Sequence, residues 1–178
     1  PETPLFHKGR VLYGLIHALS AARKTGQLIV TEGYMDVIAL AQAGIETAVA
    51  PLGTALTEEQ IGELWRVAPE PILCFDGDKA GRNAASRAAE RALPLLKPGF
   101  GLRFVTLPEG EDPDSLVKRN GKEKFEELLA EAQPLSDVLW RREVGGRSLR
   151  TPEESAMLQR RIDELTKQIN DPTVHRQF

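Results

Sequence analysis

The sequence predicts an α/β fold with a small, mainly parallel sheet flanked by helices and followed by a helical subdomain. Three observations carry this expectation. Four short β-branched runs are nearly continuous in apolarity, helical patterns stand between them, and strand-like runs cease beyond Ser115. Near-continuous apolarity suits strands covered on both faces, and strands alternating with helices imply right-handed crossovers between parallel neighbours.

Taken in order, residues 1–24 read as the end of a preceding subdomain and a linker. The first strand is Gln27 to Thr31. A helix follows from Met35 to Ala43, closed by Gly44, a favourable residue just past a helix end. Thr47 to Ala50 is the second strand. Thr57 with Gln60 forms a capping-box pattern that opens a helix through Ile61, Leu64 and Trp65. Pro71 to Phe75 is the third strand. Lys79 to Leu93, rich in alanine and arginine, is helical and stops near Pro94 and Pro98-Gly99. Leu102 to Leu107 is the fourth strand. Helices are then expected at Lys122 to Ala132 and Leu135 to Glu143. A last one is opened by Thr151-Pro152-Glu153-Glu154 and runs to about Ile169. This divides the chain into residues 1–24, an α/β domain at 25–118 and a helical subdomain at 119–178.

The chain has 178 residues, 41% of them hydrophobic and 28% charged, enough for one sizeable core. No apolar run is long enough to cross a bilayer and no secretory signal pattern opens the chain. The single cysteine, Cys74, lies in an apolar run and has no partner for a disulfide or a zinc site. A cytosolic protein is the expectation. Pro1 in first place, the linker-like Pro1-Glu2-Thr3-Pro4 and the unfinished tail after Asn170-Asp171-Pro172 suggest a piece of a longer chain. The formal net charge of −3 predicts weak or local binding of nucleic acid, since neutralising phosphates supplies most of such affinity.

The informative residues stand where strands finish. The first strand ends in Glu32-Gly33, the third in Asp76-Gly77-Asp78, and the fourth leads into Glu109-Gly110-Glu111-Asp112-Pro113-Asp114. Each alone is a common turn sequence. Together they converge on the crevice outside the carboxyl ends of a parallel sheet, the usual ligand site of such folds. Two carboxylates ~4 Å apart repel by about 4 kcal/mol at an effective dielectric of about 20, so several together need protons or a cation. The donors are all oxygens, which suits Mg²⁺ or Mn²⁺ and not zinc. Gly33 and Gly77 allow backbone or phosphate to come close.

Lys79 and Arg82 open the helix after Asp78, where free N–H groups also favour anions. They are candidate phosphate contacts. Arg87 and Arg91 read as a solvated helix face, and His7, His17 and His175 show no metal-ligand spacing. There is neither a Walker phosphate loop nor a G-x-S-x-G elbow.

Val30-Thr31-Glu32-Gly33-Tyr34-Met35-Asp36-Val37, Phe75-Asp76-Gly77-Asp78-Lys79-Ala80-Gly81 and Leu107-Pro108-Glu109-Gly110-Glu111-Asp112-Pro113-Asp114 resemble the Toprim domain of bacterial DnaG-type DNA primases. The leader Pro4-Leu5-Phe6-His7-Lys8-Gly9-Arg10 and Leu52-Gly53-Thr54-Ala55-Leu56-Thr57 share the likeness, which extends to about Trp140. The resemblance implies catalytic, metal-binding roles for Glu32, Asp76 and Asp78, and a further metal-binding pair in Asp112 and Asp114. Glu32 is either ligand or general base. Lys8 matches a basic residue that handles nucleotide. The implied activity is metal-dependent synthesis of RNA primers from NTPs on single-stranded DNA, at the bacterial replication fork. The implied partners are template, RNA primer and the replicative helicase, the last through a domain outside this chain. Zinc belongs only to an amino-terminal domain, likewise outside it, and the isolated piece is expected to be weakly active or inactive. Two other readings stand beside this one: a Toprim nuclease or topoisomerase, with Tyr13 or Tyr34 as the available tyrosines, and a non-catalytic nucleotide-binding module.

Overall fold

The computed structural model describes residues 7–53, 55–145 and 149–178. The expected linker at Pro1 to Pro4, the leader residues Leu5 and Phe6, and Thr54 lie outside the described residues. Among the described residues six strands form one mixed sheet: β1 (Leu12–Tyr13), β2 (Ile29–Val30), β3 (Ala48–Pro51), β4 (Ile72–Phe75), β5 (Arg103–Thr106) and β6 (Gln133–Pro134), in the order β1-β3-β2-β4-β5-β6. The four inner strands are parallel, and β1 and β6 join the two sides antiparallel.

The helices are α1 (Leu15–Thr25), α2 (Tyr34–Gln42), α3 (Glu58–Trp65), α4 (Lys79–Ala92), α5 (Pro113–Ala130), α6 (Leu135–Val144), α7 (Pro152–Thr166) and the short α8 (Pro172–His175). Alternation along each strand divides the core in two. Val30, Leu73, Phe75 and Phe104 pack with residues of α1, α3, α4 and α6. Ile29, Ile72, Cys74 and Val105 pack with residues of α2 and α5. Both faces of the sheet are therefore covered, which is why its strands read as unbroken apolar runs.

The chain leaves β2 through α2 to reach β3 on one side, then returns through α3 to β4 on the other. Two right-handed crossovers in opposite directions place α2 and α3 on opposite faces. The carboxyl ends of β2 and β4 thus flank the point where strand order reverses.

Capping follows the predicted chemistry where side chains dictate it. Thr57 accepts from the Gln60 amide at 3.1 Å while Gln60 accepts from the Thr57 amide at 3.0 Å. Thr151 caps α7 in the same way with Glu154, and α7 ends at Thr166.

One expectation needs correction. Strands do not cease beyond Ser115, because Gln133 and Pro134 pair with Phe104 and Arg103. Those two residues carry no apolar pattern, and the pairing is decided by the helices on either side. The helix expected from Lys122 is present as the second half of α5, and a further helical stretch from Pro113 precedes it across a kink at Gly121, whose φ of 82° interrupts the helical path. β1 and α1 add elements where no periodic signal stood out, since α1 buries only Ala18 and Ala22.

Phe125 of α5 is fully buried against α2 and the sheet. Phe125→Ala is expected to cost about 3–5 kcal/mol through lost burial and the cavity left behind. Urea unfolding checks this, with a lowered midpoint at unchanged slope as the expected result.

Candidate metal and phosphate site at the carboxyl end of the sheet

Glu32 follows β2 by one residue and Asp76 follows β4 directly, so the two stand on neighbouring strands at the reversal of strand order. Such a reversal opens a crevice that neither crossover fills. The Asp76 amide donates to Glu32 Oε1 at 3.2 Å, tying the two strand ends together.

Gly77 brings in the third segment. Its amide donates to the Glu111 carbonyl at 2.8 Å, and a Cβ there would lie 1.9 Å from the Pro108 carbonyl oxygen. Only glycine lets the 107–112 loop lie against the β4–α4 junction. A Cβ on Gly81 would come within 2.1 Å of the Asp76 carbonyl oxygen, so α4 starts immediately over its own strand end.

Two predicted ligands are also helix caps. Asp78 Oδ1 accepts from the Gly81 amide at 2.8 Å and opens α4, and Asp112 Oδ1 accepts from the Ser115 amide at 2.6 Å and opens α5. The second carboxylate oxygen of each makes no hydrogen bond with a described residue. Asp114, in the first turn of α5, pairs with Lys118 at 2.8 Å, while its Oδ1 is buried without a partner. Glu111 beside them is held by Ser115 at 2.6 Å and by Arg119.

The carboxylate that sequence reasoning passed over is Asp36. It is buried in the first turn of α2, and its Oδ2 accepts from the Gly33 amide at 3.2 Å. Burial raises its pKa first, with the charges of Asp112 and Asp114 adding to the effect against the amides of Gly33 and Asp114. It is the third residue of α2, and an acid three places after a glycine that ends a strand could have been read as a capping-box carboxylate at the same strand end.

Asp76 is the centre of this charge. Its Oδ1 is buried with no hydrogen-bond partner among the described residues. Burial, followed by the charges of Glu32, Asp36, Asp112 and Asp78, pushes its pKa up to about 6. An oxygen-only donor set around an unpartnered buried carboxylate suits a hard divalent ion. Among the described residues, however, no three acidic side chains stand close enough to complete a cage by themselves. The arrangement fits an ion that takes one or two carboxylates and completes its shell with water and substrate phosphate, as Mg²⁺ commonly does.

The basic candidates separate. Arg82 donates to the Gly77 carbonyl at 2.9 Å and lines a cavity that reaches Asp76. Lys79 is exposed at the start of α4. Lys8 lies on the segment beside α3, where its carbonyl accepts from Gln60 at 3.1 Å. Among the described residues no ion pair joins Lys8 or Lys79 to the acids.

A Toprim domain model matches residues 26–106, the part of the chain that holds β2 to β5. The DNA primase of Escherichia coli K12 is 48% identical over 174 residues, covering 98% of this chain and 30% of that protein. The DNA primase of Pseudomonas aeruginosa is 55% identical over 141 residues, 79% of this chain and 21% of that protein. A solved DNA primase domain from Pseudomonas aeruginosa superposes with a TM-score of 0.92 at 47% identity, covering 98% of this chain and 55% of that one.

The chain belongs to the bacterial DnaG-type primases. It corresponds to part of their catalytic core, and spans about a third of the length of the Escherichia coli relative. A solved DnaG primase catalytic domain bound to single-stranded DNA matches it with a TM-score of 0.90 at 47% identity, over 98% of this chain and 55% of that one. Toprim domains of primases bind divalent metal ions. Among the described residues no helix is long and apolar enough to cross a membrane.

Because the Asp76 pKa is raised from 3.8 to about 6, the unfolded chain ionises there first as pH rises. The group therefore disfavours the folded state fully above about pH 6, and this penalty vanishes below about pH 4. Asp76→Asn should raise the melting temperature of the metal-free protein at pH 7 by about 2–4 °C and leave it unchanged near pH 4. Thermal melts across that range test the sign.

Proposed function

We propose that this chain supplies the nucleotidyl-transfer site of a primase that makes RNA primers from NTPs on single-stranded DNA. The observation that carries the reading is the buried, unpartnered Oδ1 of Asp76 beside Glu32 at the reversal of strand order. Family membership adds the reaction class. A cytosolic place at the replication fork, with the helicase contacted through a separate domain, follows from the same reading.

Glu32, Asp76 and Asp78 are proposed to hold Mg²⁺ or Mn²⁺, with Asp112 and Asp114 completing the site through water or a second ion. A divalent ion held there would lower the pKa of the attacking 3′-hydroxyl and neutralise charge on the α-phosphoryl oxygens as pyrophosphate leaves. The remaining work is done by the chain itself. The Asp76 amide holds Glu32 in place, and Gly77 fixes the distance between the β4 end and the 107–112 loop. Lys79, Arg82 and Lys8 are proposed to meet triphosphate or primer phosphates. The positive end of α4 favours the same anions. The domain division at about residues 24 and 118 is retained as part of this proposal.

Two measurements test the reading. Asp76→Asn, in a primase containing this chain with the rest of its core, should abolish primer synthesis. Synthesis at the original rate would sink the assignment. Calorimetric titration of Mn²⁺ into the chain should show tighter binding in the presence of ATP and about tenfold weaker binding in Asp78→Asn. Asparagine still caps a helix, so this variant separates loss of a charged oxygen from loss of α4.

A further inference from the structure

We propose that Arg87 is a phosphate-anchoring residue of this crevice, facing Glu32 across it. The inference deepens the primase reading and rests on it. A cavity of about 280 Å³ opens beside Glu32, walled also by Gly53, Leu56, Phe75, Ala84 and Arg87. That is room for a phosphate group with part of its hydration.

Arg87 is exposed on α4 and makes no hydrogen bond or ion pair with any described residue. Its surroundings explain why. The acid one turn along the helix, Glu90, is taken by Arg142 at 2.5 Å. The next arginine, Arg91, donates to the carbonyl of Leu56, which lines the same cavity, at 2.5 Å. Glu32 shares the cavity but does not pair with Arg87 and instead accepts from the Asp76 amide. An always-charged, forked donor thus shares a cavity with Glu32 and has no acceptor among the described residues. The group that fits between a cation at Glu32 and the Arg87 guanidinium is a phosphate, since it accepts from the arginine and ligates the cation at once.

Such a phosphate comes either from the triphosphate of the incoming nucleotide or from a nucleic-acid backbone. The test uses Arg87→Ala and Arg87→Lys in a primase carrying this chain with the rest of its core, beside Asp76→Asn. A triphosphate anchor raises KM for NTP about tenfold in Arg87→Ala and leaves the affinity for single-stranded DNA unchanged. A backbone anchor weakens DNA binding instead and lowers its salt slope by about one. Either result supports the site. Arg87→Lys recovers part of the loss, and the melting temperature of both variants stays within about 1 °C because Arg87 holds nothing in the fold. Unchanged KM and unchanged DNA affinity in Arg87→Ala, with Asp76→Asn inactive, overturns the Arg87 assignment and leaves the primase reading standing. If Asp76→Asn is active the primase reading fails. Direct titration of ATP with Mn²⁺ and of a fluorescent oligonucleotide against the Arg87 variants then still decides the phosphate site without turnover.

Discussion

Charge crowding around one half-buried carboxylate is the constraint on which the rest of this structure depends. Asp76 follows the central β4 with one oxygen unpartnered, and four other acids raise its proton affinity. A fold holds such a group only if its surroundings are fixed by stronger geometry. Here that geometry is backbone: the parallel pairing of β2 with β4, the Asp76 amide on Glu32, and the Gly77 amide on Glu111. None of these bonds depends on the protonation of Asp76. The acids are therefore kept near one another whether or not a cation is present.

Three helix N-termini supply the electrostatic counterpart. Asp36 lies in the first turn of α2, Asp78 caps α4 and Asp112 caps α5. The exposed N–H groups of each first turn stabilise a nearby negative charge, which offsets part of the repulsion among the carboxylates. Asp78 and Asp112 start their helices with one carboxylate oxygen each. Structural and chemical roles are thus carried by different oxygens of one side chain in Asp78 and Asp112, whose second oxygens have no protein hydrogen-bond partner among the described residues.

The inner part of the fold was legible because burial on two faces writes itself as unbroken apolarity in Leu28 to Val30, Ile72 to Phe75 and Phe104 to Val105. Thr57 and Thr151 were legible because their hydroxyls and the residues three places on form reciprocal caps. The edges were not. β1 and β6 are two residues each, too short for a period, and α1 buries a narrow alanine face behind a glycine with no capping side chain. The acids at Glu32, Asp76 and Asp78 stood out through their place after strands. Asp36 did not, because it sits inside a helix where an acid usually faces water. Arg87 was hidden for the converse reason: on an arginine-rich helix face its sequence neighbours look alike, and only the pairings of Glu90 and Arg91 set it apart.

The sheet's outer margin at β6 has a consequence for behaviour in a crowded solution. Gln133 and Pro134 close that side with a strand too short to act as a template, and Pro134 carries no amide hydrogen to offer an incoming strand. Strand-to-strand self-association of the kind that seeds aggregation is thereby discouraged on this side of a protein whose interior strands are highly apolar.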